Sequence, residues 1–330
     1  MRRAAESEVE QIEKDHWKSI LRGILTDWRI YVMLVPLLFF LICWKYMPIA
    51  SMVISFKSFK PDDSIGGGVY TSQWVGFDNF VTLFGQAQFW SAFRNTFALS
   101  FYSLLFGFPF PIILALFFSE IRARGYLTVV QVFTYLPRFI SVVIVTSLVG
   151  LLLRSRSGDV AAGPIGGILQ RAFGLTNLMS DPKAFRSIYI ISGIWETGGY
   201  SSIVYFAAIL AISPTGYEAA KIDGANKMQQ LRYVTIPGMT PTLVIMLILR
   251  IGQLLSVGYE KVYLLQLQGV GNTVYETGEI VSTYVINNYM HSPGSQGLGA
   301  AADMFNSLLN MVLVLGSNRI AKKVSKTSLF

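Results

Sequence analysis

Residues 213–237 read SPTGYEAAKIDGANKMQQLRYVTIP, and they separate two long apolar runs, Ser187 to Ile212 and Met239 to Gly258. Glu218, Lys221, Asp223, Lys227 and Arg232 make this stretch too polar to lie in hydrocarbon, while its pattern is too regular for a bare linker. Ser213 followed by Pro214 suits a helix start, and Thr215 with Glu218 three residues later fits a capping box. Ala219 and Ala220 continue that helix, and Gly224 permits a sharp change of direction. Ala225 to Val234 then form a second helical piece that ends before Pro237. The small side chains of Ala219, Ala220 and Ala225 leave room for another protein surface to approach closely. A polar helix–turn–helix held between two bilayer-length apolar runs places the chain among multi-span membrane proteins.

Composition agrees. The 330 residues are 52% hydrophobic and 14% charged, whereas a soluble domain carries charge on about a quarter of its positions. That excludes an ordinary soluble enzyme. The net charge of +8 is spread over loops and tails rather than gathered with aromatics on one face, which argues against nucleic acid. The single cysteine, Cys43, rules out an intrachain disulfide or a multi-cysteine metal site and reads as a packing residue.

Over the rest of the chain, six apolar stretches are long enough to cross a bilayer: 30–56, 96–118, 125–153, 187–212, 239–258 and 298–318. The fold class is therefore all-α, with six transmembrane helices. Lys45 and Pro48 imply a bent or tilted outer end of the first span, Pro109 and Pro111 a bend in the second, and Pro137 a bend in the third. With a cytoplasmic N-terminus, the inside segments hold 15 basic residues in 73 positions and the outside loops 9 in 110. The bias puts both termini inside, although loop 154–186 alone carries five basic residues. The acidic residues before the first span argue against a secretory signal. Ile12, Trp17, Leu21, Ile24, Leu25 and Trp28 recur at helical spacing, as in a helix lying on the membrane surface. Asp78 to Arg94 reads as a second interfacial helix, outside, leading into the second span.

The loop carries a family resemblance. Glu218-Ala219-Ala220, Asp223-Gly224-Ala225 and Ile236-Pro237 follow the EAA pattern: EAA, three residues, glycine, nine residues, then an apolar residue, any residue, an apolar residue and proline. In this the chain resembles the permeases of ABC importers, and the resemblance implies a type I importer permease fold. By their own pattern residues 1–29 form a cytoplasmic amphipathic segment and 30–94 a first span and outer loop with an interfacial helix. The permease core of five spans is 95–320, with the coupling loop at 213–238, and 321–330 form a basic tail. Trp74-Val75-Gly76-Phe77-Asp78-Asn79-Phe80, Tyr46-Met47-Pro48 and Pro36 are similar to the sugar-importing branch, as in importers of maltose and of alginate oligosaccharides. The resemblance further implies that Glu218 contacts an ATPase subunit, that Gly224 is the elbow and that the alanines form the close-packing face. The ATPase dimer would carry the ATP and Mg²⁺. The remaining implied partners are a second homologous permease, a solute-binding protein and an oligosaccharide, in a bacterial inner (plasma) membrane.

No G-x-x-x-x-G-K-[ST] phosphate loop, HExxH, CxxC or G-x-S-x-G occurs in the chain, so it offers no catalytic or metal constellation and no cofactor site of its own. Charges within spans cost about 2.5–3.5 kcal/mol each on insertion scales and so require a role. Arg138, Glu196 and Arg250, with Trp195, Tyr200, Gln253 and Asn306, either line a polar passage or, for the charges, form structural pairs of Arg138 or Arg250 with Glu196 or Asp303. Arginines in a passage favour an acidic sugar, and the aromatics offer stacking faces. Two other readings are an ion-coupled secondary transporter with Glu196 and Asp303 as its acids, and a scaffold that uses residues 213–237 only for docking.

Overall fold

The computed structural model describes residues 26–62, 67–156, 162–269, 275–290 and 295–325. The surface-helix reading of the N-terminal segment falls almost entirely outside them. Helix α1 (Trp28–Phe56) and α3 (Ala87–Glu120) are followed by a bent pair, α4 (Arg124–Phe139) and α5 (Val142–Leu153). Then come α6 (Pro164–Phe173), α7 (Pro182–Leu210), α8 (Pro214–Ile222), α9 (Lys227–Gly252), α10 (Tyr259–Gln268), α11 (Val281–Val285) and α12 (Gln296–Ser325). A short α2 (Asp78–Phe84) precedes α3, next to a two-residue hairpin in which β1 (Lys57–Ser58) pairs with β2 (Gln73–Trp74). Among the described residues four helices pass as spans on length and composition, rising to six if each bent pair is one span.

All six apolar stretches are helical, but their limits move for physical reasons. The first span stays helical past Lys45 and Pro48 by opening a wide turn over Ile42–Tyr46, which absorbs the amide that Pro48 lacks. Gly85 and Gln86 split the outer interfacial helix, and the second piece is already the start of α3. The third span does more than bend: α4 and α5 meet at 103°, with Ser141 capping the new helix at Val143 N–H. The fifth span begins a dozen residues early, because Pro237 does not end the piece before it. A second wide turn, Leu231–Thr235, accommodates the proline and the helix continues.

Large apolar side chains are exposed along most spans, and none is buried in Trp28–Leu41. Lipid is the solvent there, so burying them against protein gains little; close approach and dispersion hold such helices together instead. Three clusters do this. Leu83, Phe89, Tyr284, Val285 and Ala301 join α2, α3, α11 and α12. Leu99, Phe185, Val262 and Leu265 join α3, α7 and α10. Ala115, Tyr205, Ile209 and Met239 join α3, α7 and α9. Glycines set the closest crossings: a Cβ on Gly199 would lie 2.0 Å from the Thr134 carbonyl oxygen of α4, and one on Gly198 2.7 Å from the Phe110 ring of α3. Both are packing glycines.

Candidate functional site

Helix α8 leaves the end of α7 at 66°. Its cap is Ser213, whose Oγ accepts from Thr215 N–H at 3.4 Å, with Pro214 in the first helical position. The expected Thr215–Glu218 capping box is therefore absent. The helix starts one residue before Thr215, so Gly216 rather than Glu218 sits three residues after the cap, and the Glu218 side chain remains exposed with no partner among the described residues. The far end closes through Gly224 at φ +74°. Gly224 N–H donates to Lys221 O (3.1 Å) and Ala225 N–H to Ala220 O (2.8 Å), the two bonds of a Schellman turn.

A true capping box follows at Asn226 and Gln229, each side chain accepting from the other's backbone N–H. Gln230 Nε2 donates back to Ala225 O at 2.9 Å, and the Tyr217 and Thr235 hydroxyls meet at 3.0 Å. The two helical pieces are thus tied into one unit. Lys227 also pairs with Glu120 at 2.8 Å, but both side chains are largely exposed, so this pair adds little. Glu218, Ala219, Asp223, Gly224 and Pro237 are exposed, and Ala220 and Ala225 half-buried. Ile222, 86% exposed, stands on the same loop with Met228 and Tyr233, an apolar surface that nothing among the described residues covers.

The intramembrane candidates separate into three places. At the break between α4 and α5, Arg138 is exposed, and the adjacent Phe139 meets Tyr200 of α7 edge-to-face at 6.0 Å. Trp195, two-fifths exposed, lies on the same helix without joining that contact. Glu196 is committed elsewhere: its carboxylate accepts from Lys261 Nζ of α10 at 2.7 Å, both side chains only 11–12% exposed, and the ammonium lies 5.5 Å from the Tyr189 ring. This replaces the pairing of Arg138 or Arg250 with Glu196 or Asp303, one of the two readings the sequence left open. Residues 259–268, read as outer loop, form a helix that folds back on α7 and delivers a lysine instead. Among the described residues Arg138, Arg250 and Asp303 take no ion-pair partner.

The third place is the end of α9. Gln253 is exposed where the helix stops, and Asn306 of α12 is buried with its Oδ1 unpartnered. One turn on, Asn310 accepts from Leu255 N–H and donates to Ser256 Oγ, both at 3.1 Å, and so satisfies the broken helix end. Lys261 and Asn310 escaped the sequence reading. The repeat of Asn306 and Asn310 at four-residue spacing was the available signal for the second; Lys261 offered none.

Comparison with known proteins gives a consistent result. The chain is 34% identical over 319 residues to the polygalacturonan/rhamnogalacturonan transport system permease protein YteP of Bacillus subtilis (strain 168), covering 96% of this chain and 95% of that one. It is 33% identical to protein LplB of the same organism, with 94% of each covered. In structure it is similar to a chain from a bacterial ABC transporter involved in the import of the acidic polysaccharide alginate, at TM-score 0.79 and 37% identity, covering 93% of this chain and 99% of that one. The alginate transporter in complex with its alginate pentasaccharide-bound periplasmic protein gives the same TM-score at 38% identity and the same coverage. Residues 107–326, from the middle of α3 to the tail, match the family described as "Binding-protein-dependent transport system inner membrane component". With its helix–turn–helix loop and its long lipid-facing helices, the chain belongs to that family of transport permeases.

Proposed function

We propose that this permease imports an acidic oligosaccharide, pairing with a second, similar permease, receiving its cargo from an extracytoplasmic solute-binding protein, and driven by two copies of a separate ATPase that hold ATP and Mg²⁺. The observation that carries the reading is the α8–turn–α9 unit. It is rigid within itself, yet it presents Glu218 and the apolar Ile222 outward with nothing among the described residues to meet them. Closure of the ATPase against α8 passes to α7 through the 66° junction, and to α9 through the Tyr217–Thr235 contact. Helix α7 carries the displacement onward, because Gly199 rests on the backbone of α4 just before its break. The break exposes Arg138, Phe139 and Tyr200, and a guanidinium with aromatic faces suits a carboxylated sugar ring. Two relatives support the acidic class: one belongs to a polygalacturonan/rhamnogalacturonan transport system, the other to a transporter that imports the acidic polysaccharide alginate.

The test is uptake into proteoliposomes holding the complete transporter and its binding protein. Labelled uronate oligosaccharides should accumulate only with ATP and be blocked by vanadate, while neutral oligosaccharides of equal length should not accumulate. Equal uptake of both classes would remove the acidic assignment. Uptake driven by an ion gradient without ATP would remove the ATPase.

A further inference from the structure

The outer end of α3 carries a groove of about 510 Å³ lined by Ala87, Trp90, Ser91, Phe93, Arg94 and Phe97. These residues recur at three- and four-residue spacing and so form one face of the helix. That face is open, with Trp90 44% and Phe97 47% exposed, and Arg94 is an exposed cation with no ion-pair partner among the described residues. Trp90 is held in place because its indole N–H donates to Phe84 O at 2.8 Å, and its ring packs edge-to-face on Phe93 at 5.9 Å.

Depth decides what such a face meets. Helix α3 runs 34 residues, longer than the roughly 20 needed to cross about 30 Å of hydrocarbon. Its other end is fixed by Glu120 and the following Arg122 and Arg124, which belong in water. Counting back about 20 residues from Phe118 reaches the neighbourhood of Phe97 and Leu99 as the far hydrocarbon boundary. Arg94 then stands about one turn above that boundary, at the level of lipid phosphates, with Trp90 a further turn out in the headgroup layer. Phe97, stacked on Phe101 at 6.3 Å, continues the groove down among the acyl chains.

We infer that this groove is a phospholipid site, in which Arg94 binds the headgroup phosphate, Trp90 and Phe93 flank the headgroup, and Phe97 lies along an acyl chain. A phosphate accepts two N–H donors from one guanidinium, and an anionic headgroup adds attraction that a zwitterionic one lacks. The site is distinct from both the cytoplasmic loop and the intramembrane charges.

Native mass spectrometry of the complete, partly delipidated transporter tests it by titration with phosphatidylglycerol. Arg94→Gln should weaken retention about fivefold, the loss of one near-surface cation. Arg94→Lys should retain most binding, and Arg122→Gln at the other end should leave this site unchanged. On the unaltered protein, brominated phosphatidylglycerol should quench tryptophan emission more than brominated phosphatidylcholine, and the excess should vanish in Trp90→Phe. Equal retention in Arg94→Gln and the parent would overturn the assignment. So would loss of the second permease from the Arg94→Gln complex with lipid count unchanged, since the groove would then be a subunit interface.

Discussion

Gly224 adopts φ +74°, a conformation that costs a residue with a Cβ about 1–2 kcal/mol. Gly224→Ala should therefore lower uptake partially and Gly224→Pro, whose ring fixes φ near −65°, should abolish it, with membrane insertion of both variants intact by size-exclusion profile. The Glu196–Lys261 pair makes a different prediction. Removing one member of a buried pair strands the other, so Lys261→Met alone should destabilise by about 3–5 kcal/mol, read as a fall in melting temperature of the purified complex. Glu196→Gln with Lys261→Met should recover most of that loss. Gly224 was legible because a single residue, read with its EAA context, demands a turn. Half of the ion pair was legible too, since a carboxylate within a span needs either a polar passage or a partner. Its identity was not, because Lys261 lies 65 residues away and reaches Glu196 only through the fold-back of α10.

Among the helices, Gly199 brings α7 against α4 beside the break. A Cβ there would meet the Thr134 carbonyl oxygen at 2.0 Å, whereas one on Gly193 would come no nearer than 3.5 Å to the end of Lys261. Gly199→Ala should reduce monodisperse protein and transport sharply, and Gly193→Ala should be tolerated. The start of α3 holds a buried carboxyl contact. Glu279, just before α11, is buried and accepts from Gln88 Nε2 of α3 at 3.2 Å, and burial raises its pKa from 4.5. The folded state then holds this proton more tightly than the unfolded chain, so stability declines as pH rises from about 4.5 through the raised value. Melting temperatures of Glu279→Gln should show a flatter profile across that window. The spans themselves were legible because a long apolar run in lipid must satisfy its own backbone, which a helix does within the segment. The 103° turn after Pro137 was legible only as a bend, since proline marks where a helix weakens but neighbouring packing sets the angle. Helix α10 was not legible, because Tyr259, Glu260 and Lys261 read as loop until Val262 and Leu265 find Phe185 and Leu99.

For the whole molecule, the basic-residue bias predicts α8 on the cytoplasmic side and the β1–β2 hairpin outside. With Cys43→Ser as background, Gln73→Cys should react with a membrane-impermeant maleimide in intact cells, and Thr215→Cys only after permeabilisation. The 66° junction, the Gly224 turn and the Gly199 contact together make a continuous path from the α8 loop to the break in the third span. The proposed coupling runs along that path, and Glu218 is its cleanest probe, being exposed, unpartnered among the described residues and dispensable for the helix cap. The decisive measurement is ATP-driven uptake by the reconstituted transporter carrying Glu218→Ala. Uptake should fall at least tenfold, on the order of 1.4 kcal/mol or more of coupling, in a complex that still inserts and extracts like the parent. Uptake equal to the parent would contradict transmission through α8.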